Sequence, residues 1–276
     1  MLRLLNNLDK PMVLKYLDKH HIECTFLIGN VISFSLENDV NLRRGADYYG
    51  YFESNALKGI VGFYNLGSCI PHYEVPEAIP YFADLLKSKV FDTLLGMEKI
   101  VKPLYDEIKD SKQLETYSED SYYINDNFTP YNLGNVDFVG AKTAPTDKAT
   151  HFIMEAFKDG FRSVKTPEEI SKMLNEKSSE EDFLFLVKDG EIKAQANVQT
   201  YTSKFNQIGG VFTLRSERGK GYCKATVSEI CKLILARGKT PTLMVRKNNT
   251  PAVSAYQSLG FRHYDDYLII SFKKRL

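Results

Sequence analysis

Apolar and polar positions change rhythm several times along this chain, and the changes predict an α/β protein. In the second half, Phe183 to Lys188 is an apolar run, Asp189-Gly190 follows, and Ile192 to Tyr201 returns. Within the return, Ala194, Ala196 and Val198 alternate with Gln195, Asn197 and Gln199. That rhythm on either side of Asp-Gly predicts a β-hairpin, its second strand with one packed face and one polar face turned to solvent or a cleft. Ile208 to Leu214, Thr242 to Val245 and Tyr267 to Phe272 predict further strands. Between them, Cys223, Val227, Ile230 and Ile234 recur at helical spacing until Arg237-Gly238, and Asn249 to Leu259 predicts a short helix stopped by Gly260. Upstream, Val136 to Lys142 predicts a strand and Pro145-Thr146 opens a helix through Phe157. Thr166-Pro167-Glu168-Glu169 starts another, with a threonine cap, proline at the first helical position and acids in the first turn.

The first half echoes part of this order. Asp9 to Lys19 predicts a helix, and Tyr48 to Glu53 with Leu57 to Leu66 predicts a strand pair around Ser54-Asn55. Pro71, Pro76 and Pro80 follow, where the second half has glycines, which hints at an internal duplication whose first copy lost its turn. A polar stretch from Tyr117 to Asn135 reads as a linker, with a domain boundary near Pro130 dividing 1–130 from 131–276.

Bulk properties agree with two domains: 276 residues, 43% hydrophobic and 26% charged. Lys and Arg number 36 against 35 Asp and Glu, so no overall field recruits nucleic acid or an anionic membrane, and neither is expected as a partner. Cys24, Cys69, Cys223 and Cys231 lie far apart, so reduced thiols are expected rather than a disulfide framework or a metal site. His20-His21 reads as a polar helix end with no further metal ligand in view. The N-terminus lacks the apolar core of a signal peptide, and no apolar run reaches the ~18 residues of a membrane span, so a soluble cytoplasmic protein is expected.

The segment Ile208-Gly209-Gly210-Val211-Phe212-Thr213-Leu214-Arg215-Ser216-Glu217-Arg218-Gly219-Lys220-Gly221-Tyr222-Cys223 carries the candidate chemistry. It is a strand, a glycine turn and a helix start. Free N–H groups and the positive dipole end at a helix N-terminus form an anion site. Gly219 and Gly221 let backbone close around a phosphate, and Arg218, Lys220 and Lys224 add positive charge. Neither the Walker loop nor the dinucleotide fingerprint fits this spacing. The residues alone therefore point to a phosphate-bearing ligand.

The string resembles the acetyl-CoA signature of the GNAT superfamily, Gln/Arg-x-x-Gly-x-Gly/Ala, with Arg218 first, Gly221 fourth and Cys223 in the sixth place, where the family usually has Gly or Ala. Downstream, Asn249, Ala252, Tyr256 and Leu259-Gly260-Phe261 resemble the family's second motif. The resemblance covers roughly Val136 to Phe272. It implies a mixed α/β sheet of the GNAT acyl-CoA N-acyltransferase fold over 131–276, with a degenerate GNAT-like copy before it in tandem. It further implies acetyl-CoA as co-substrate, no metal, and acetyl transfer by direct attack of a primary amine on a small molecule or peptide. Backbone groups of Val211, Phe212 and Thr213 would hold the pantetheine arm, and the Val211 N–H would serve the thioester oxygen. Arg218, Gly219, Lys220, Gly221, Tyr222, Cys223 and Lys224 would take the pyrophosphate, and Asn249 the cofactor arm. Tyr256 would line the cofactor site and protonate the leaving thiolate.

Three of these residues have simpler readings: Tyr256 as a core aromatic, Asn249 as a helix cap and Cys223 as packing. No general base stands out. The position where some members carry Glu matches Gln207, and Glu217, Asp265, Asp266 or a water held by Gln195 or Asn197 are the alternatives. A non-catalytic acyl-CoA sensor on the same fold is the competing expectation.

Overall fold

The computed structural model describes residues 1–160, 164–175 and 182–273. The chain forms two compact units, Met1–Tyr122 with the strand from Tyr264 onward, and Tyr123–His263. The division thus falls about seven residues before the expected Pro130, and the last strand belongs to the first unit rather than the second.

Unit 1 runs β1 (Leu2–Leu4), α1 (Lys10–Lys19), α2 (Thr25–Phe34), β2 (Ala46–Glu53), β3 (Ala56–Tyr64), β4 (Ser68–Tyr73), α3 (Ala78–Ser88), β5 (Thr93–Met97), α4 (Glu98–Ile108) and β6 (Leu114–Ile124). Its strands lie in the order β1-β2-β3-β4-β5, and the final strand of the chain pairs antiparallel with β5 through Tyr267↔Met97 to Ser271↔Thr93. The sheet is mixed, because β4 and β5 run parallel at Ser68↔Thr93 and Cys69↔Leu94. Ser54 and Asn55 take left-handed conformations (φ 46° and 65°), as the tight turn between β2 and β3 requires. Pro71 sits inside β4, one of the elements the sequence did not suggest. It lies beyond the last β4–β5 pair, where β4 has no ladder to maintain on that side. Of the stretch expected as a linker, Tyr117 to Ile124 belongs to β6, whose exposed polar start gives way to buried Tyr122 and Tyr123, and only 125–135 lies outside helix and strand.

Unit 2 contains β7 (Asp137–Gly140), α5 (Thr146–Glu155), α6 (Pro167–Asn175), β8 (Phe183–Lys188), β9 (Glu191–Tyr201), β10 (Phe205–Thr213), α7 (Tyr222–Ala236), β11 (Thr240–Arg246) and α8 (Thr250–Gln257); β12 (Arg262–Phe272) begins in it. Strand order is β11-β10-β9-β8-β7. Only β10 and β11 run parallel, so this sheet is mixed as well. Asp189 and Gly190 have φ 53° and 74°, the two left-handed residues of the expected hairpin turn. Thr166 and Glu169 cap α6 reciprocally, with the Glu169 N–H donating to Thr166 Oγ1 (3.3 Å) and the Thr166 N–H to Glu169 Oε2 (2.9 Å).

One core of unit 2 packs Val198, Ile208 and Leu243 against Val227, Ile230 and Ile234 of α7 and Tyr256 of α8. A second packs Phe183, Phe185 and Phe212 against Phe152 and Ile153 of α5 and Ile170 of α6. Gln195 and Asn197 are consequently buried, so the polar face expected on β9 is not turned to bulk solvent. From β2 to β6 and from β8 to β12 the chain repeats one order: three strands, a helix, a strand, a helix, a strand.

Candidate functional site

The glycine pair Gly209-Gly210 breaks the regularity of β10. Against β9 the register shifts between Gly209↔Asn197 and Phe212↔Gln195, leaving Gly210 and Val211 with no separate register partners. Gly210 has φ 58°, and a Cβ there would lie 2.0 Å from Asn197 Nδ2. The Gln195 amide donates to the bulged Gly210 carbonyl at 2.9 Å. On the other side, parallel pairing with β11 runs from Phe205↔Thr240 only as far as Ile208↔Leu243. The two strands part there, and the backbone of Gly209, Gly210 and Val211 is half-exposed at the opening.

Thr213 ends the strand with its hydroxyl buried and unpaired, and its carbonyl accepts from Arg218 Nε at 3.4 Å. Gly219 and Gly221 have φ 81° and 83°. Their reasons for being glycine differ. A Cβ at Gly219 would meet nothing within 4 Å, so only the left-handed backbone demands glycine, whereas at Gly221 it would lie 2.8 Å from the Tyr131 hydroxyl.

Gly221 is the N-cap of α7 and provides no side chain to cap the first turn. The first helical hydrogen bond runs from Ala225 N–H to the Gly221 carbonyl, so the N–H groups of Tyr222, Cys223 and Lys224 are left for an external acceptor. The cations are tethered rather than loose. Lys220 pairs with Glu217 at 2.7 Å, and Lys224 lies over the Tyr131 ring at 4.5 Å. The rings of Tyr222 and Phe212 are buried in the core, so only their backbone faces the site.

Asn249 occupies the N-cap position of α8 but its side chain makes no capping bond, leaving an exposed amide at the head of the helix. Tyr256 is buried in the core, as its simpler reading holds, and its hydroxyl has no hydrogen-bond partner among the described residues. Burial first, then the neighbouring Cys223 thiol, pushes the Tyr256 phenol well above its ordinary pKa, so it keeps its proton. Burial likewise pushes the Cys223 thiol up to about 11. The interaction of the two groups puts Tyr256 at the first turn of α7. Leu259-Gly260-Phe261 closes α8: Gly260 has φ 91°, and the Leu259 carbonyl accepts from Asn125 Nδ2 (3.0 Å) and Thr129 N–H (2.9 Å).

The candidate bases fare unequally. Gln207 is buried at 1% exposure. Glu217 is held below the ordinary carboxylate range by Lys220 first and by Lys193 at 3.4 Å, with burial opposing. Asp265, in unit 1, pairs with Lys99 at 3.2 Å. Gln195 is committed to Gly210, and its Oε1 is buried without a partner.

The structure also assembles a group in unit 1 that sequence reasoning missed. His20 and Glu23, beside α1, meet His72 of β4, their ligating atoms all within 4.8 Å of one another. Nothing in sequence spacing signals this, because 49 residues separate Glu23 from His72 and only the folding of the α1 end against β4 joins them.

Residues 189–270 match the family model described as FR47-like protein. Among curated proteins, none matches the sequence. Solved structures match over the whole chain. A GCN5-related N-acetyltransferase from Sphaerobacter thermophilus is 14% identical with a TM-score of 0.68, covering 99% of this chain and 95% of its own. A GNAT-family acetyltransferase from Colwellia psychrerythraea is 14% identical with a TM-score of 0.61 and full coverage of both chains. A tandem GNAT protein from the clavulanic acid biosynthesis pathway is 11% identical with a TM-score of 0.62, covering 98% and 97%. At these identities the likeness concerns the fold, and the fold shared over the full length accounts for the repeated strand and helix order of the two units. No helix among the described residues is long and apolar enough to cross a membrane. By its fold the chain is similar over its full length to GNAT-family acetyltransferases, and residues 189–270 match the FR47-like family model.

Proposed function

We propose that unit 2 transfers an acetyl group from acetyl-CoA to a primary amine of a small molecule or peptide. One observation carries this reading: β10 parts from β11 beyond Ile208 in the same unit as the uncapped N-terminus of α7, and the strand leads into that helix through the glycine turn. An elongated ligand with an anionic middle and a hydrogen-bonding arm fits such a layout. Acetyl-CoA, when bound, supplies an activated acyl group on a thioester. The N–H groups of Tyr222 to Lys224, with the turn at Arg218 to Gly221, would hold the pyrophosphate. The bulged backbone from Val211 to Thr213 would align the arm, and the exposed Asn249 amide would bond it.

The Val211 N–H would donate to the thioester oxygen as charge develops there, a role worth about 3–4 kcal/mol at comparable donors. Tyr256, protonated at any working pH, would pass its proton to the leaving sulfur. An amine arriving deprotonated needs no strong base, which suits a site whose candidate acid Glu217 is tied to two lysines.

That same poverty of bases favours a second reading, an acyl-CoA sensor without turnover. Thiol release from acetyl-CoA across an amine panel separates the two. In the enzyme, Tyr256→Phe retains acetyl-CoA affinity and loses turnover. Absence of calorimetric binding to any acyl-CoA sinks both readings, and tight binding with no turnover on any amine leaves the sensor.

A further inference from the structure

Unit 1 repeats the parting of parallel strands but lines it differently. Pairing ends at Ile208↔Leu243 in unit 2 and at Cys69↔Leu94 in unit 1, and three residues further along stand Val211 and His72 respectively. Where unit 2 has its glycine bulge, unit 1 has Pro71, which offers no N–H, and then His72.

We propose that His20, Glu23 and His72 bind one divalent transition-metal ion of the zinc type, with a coordination position left open to water or a small oxygen-donor ligand. The set of two imidazoles and one carboxylate suits such an ion, and three protein ligands are what open sites carry. A tetrahedral zinc shell spaces its ligand atoms about 3.3 Å apart, given metal–ligand distances of ~2.0–2.2 Å. His72 Nε2 and Glu23 Oε2 already lie 3.2 Å apart. The His20 and His72 rings are 4.5 Å apart between centroids, and all three ligating atoms fall within 4.8 Å.

Hydrogen bonding leaves the right atoms free. The Tyr16 hydroxyl lies 2.8 Å from His72 Nδ1 and 3.3 Å from the Lys58 carbonyl, so it occupies the Nδ1 side of the ring and leaves Nε2 to face Glu23 Oε2. A shared proton would serve the His72–Glu23 pair alone, whereas a metal ion also accounts for the His20 ring held close beside it at a 40° tilt. Glu23 divides its oxygens: Oε1 is held by Lys99 (2.7 Å) and the Tyr264 hydroxyl (3.3 Å), while Oε2 faces the imidazole. His20 is steadied by Glu74, 2.9 Å from its Nε2, the carboxylate–histidine support that orients metal-binding rings. His72 is buried, but the His20 side chain is 27% exposed, which gives an ion a way in.

The site does not rest on the acyl-transfer reading. Its test is a Zn2+ titration of chelator-stripped protein against a chromophoric competitor, with Co2+ absorption reporting the geometry. One equivalent should bind, with the intense visible bands of four- or five-coordinate Co2+. His20→Ala and Glu23→Gln should each weaken binding at least ~100-fold, and Tyr16→Phe by ~10–100-fold, with acetyl-CoA affinity and native circular dichroism unchanged. No saturable binding, or one-equivalent binding that survives both His20→Ala and Glu23→Gln, overturns the proposal. Both ligand variants are at partly exposed positions, so the outcome does not depend on a His72 variant that fails to fold.

Discussion

The side chain of Gln195 donates to the carbonyl of Gly210 at 2.9 Å, and this single bond props open the bulge on which the candidate site is built. Gln195 is 2% exposed and has no other hydrogen bond through its Oε1, so the bulge is its one polar commitment. Replacing it with alanine should cost about 1–3 kcal/mol in urea unfolding, as for a buried group stripped of its partner. Acetyl-CoA affinity should fall with it, since the bulge aims Val211. Unchanged affinity at reduced stability would show that the bulge stands without its prop.

Gly260 and Gly219 should respond differently to alanine. At Gly260 a Cβ would lie 1.9 Å from the Asn127 carbonyl oxygen, on top of a left-handed backbone, and neither backbone can yield cheaply. Gly260→Ala should lose more than about 3 kcal/mol. Gly219→Ala has open space around it and should lose only the ~1–2 kcal/mol of a left-handed alanine. Equal losses by denaturant titration would refute the contrast.

All four cysteines should be silent towards thiol reagents in the native protein at pH 8. Burial pushes Cys24, Cys69 and Cys231 up, and Cys223 to about 11, so roughly one Cys223 in 1,000 is thiolate there. Four equivalents should react only after denaturation. Fast labelling of Cys223 in the folded state would contradict the packing of the turn.

Asp9 accepts two bonds from Arg3, at 2.8 and 2.7 Å, which hold its carboxyl below the ordinary 3.8 against a burial effect that raises it. A depressed carboxylate stabilises the fold fully above about pH 4, and that stabilisation disappears as pH falls through its lowered value. Asp9→Asn should therefore destabilise by about 1 kcal/mol near neutrality. The gap to the parent protein should close as acidification protonates Asp9 in both states. A gap independent of pH would assign the effect to shape rather than charge.

Much of unit 2 was legible because its signals are local. Asp189-Gly190 specifies its own backbone, Thr166 to Glu169 caps its own helix, and Gly219 to Lys224 carries the glycine turn and the uncapped helix start of the candidate site within one stretch. Unit 1 hides its elements. Pro71 and Pro80 disguise a strand and a helix, each tolerated only because of where a neighbour ends or a helix begins. Six of the ten residues of α2 are buried, so it lacks the polar stripe that marks a surface helix. The same limit applies to chemistry. The string at Arg218 to Cys223 is contiguous, whereas His20, Glu23 and His72 become neighbours only when α1 and the turn after it pack against β4.

The pairing of β12 with β5 bears on how the protein is made. Thr93 and Ser271 face each other across 178 residues of chain, so the edge of β5 stays uncovered while all of unit 2 is being synthesised. Unit 2 is contiguous and can close as it emerges, but unit 1 must wait for a strand that the ribosome delivers afterwards. During that interval β5 is an open template for a stray strand, and completion of the second unit is what times the sealing of the first.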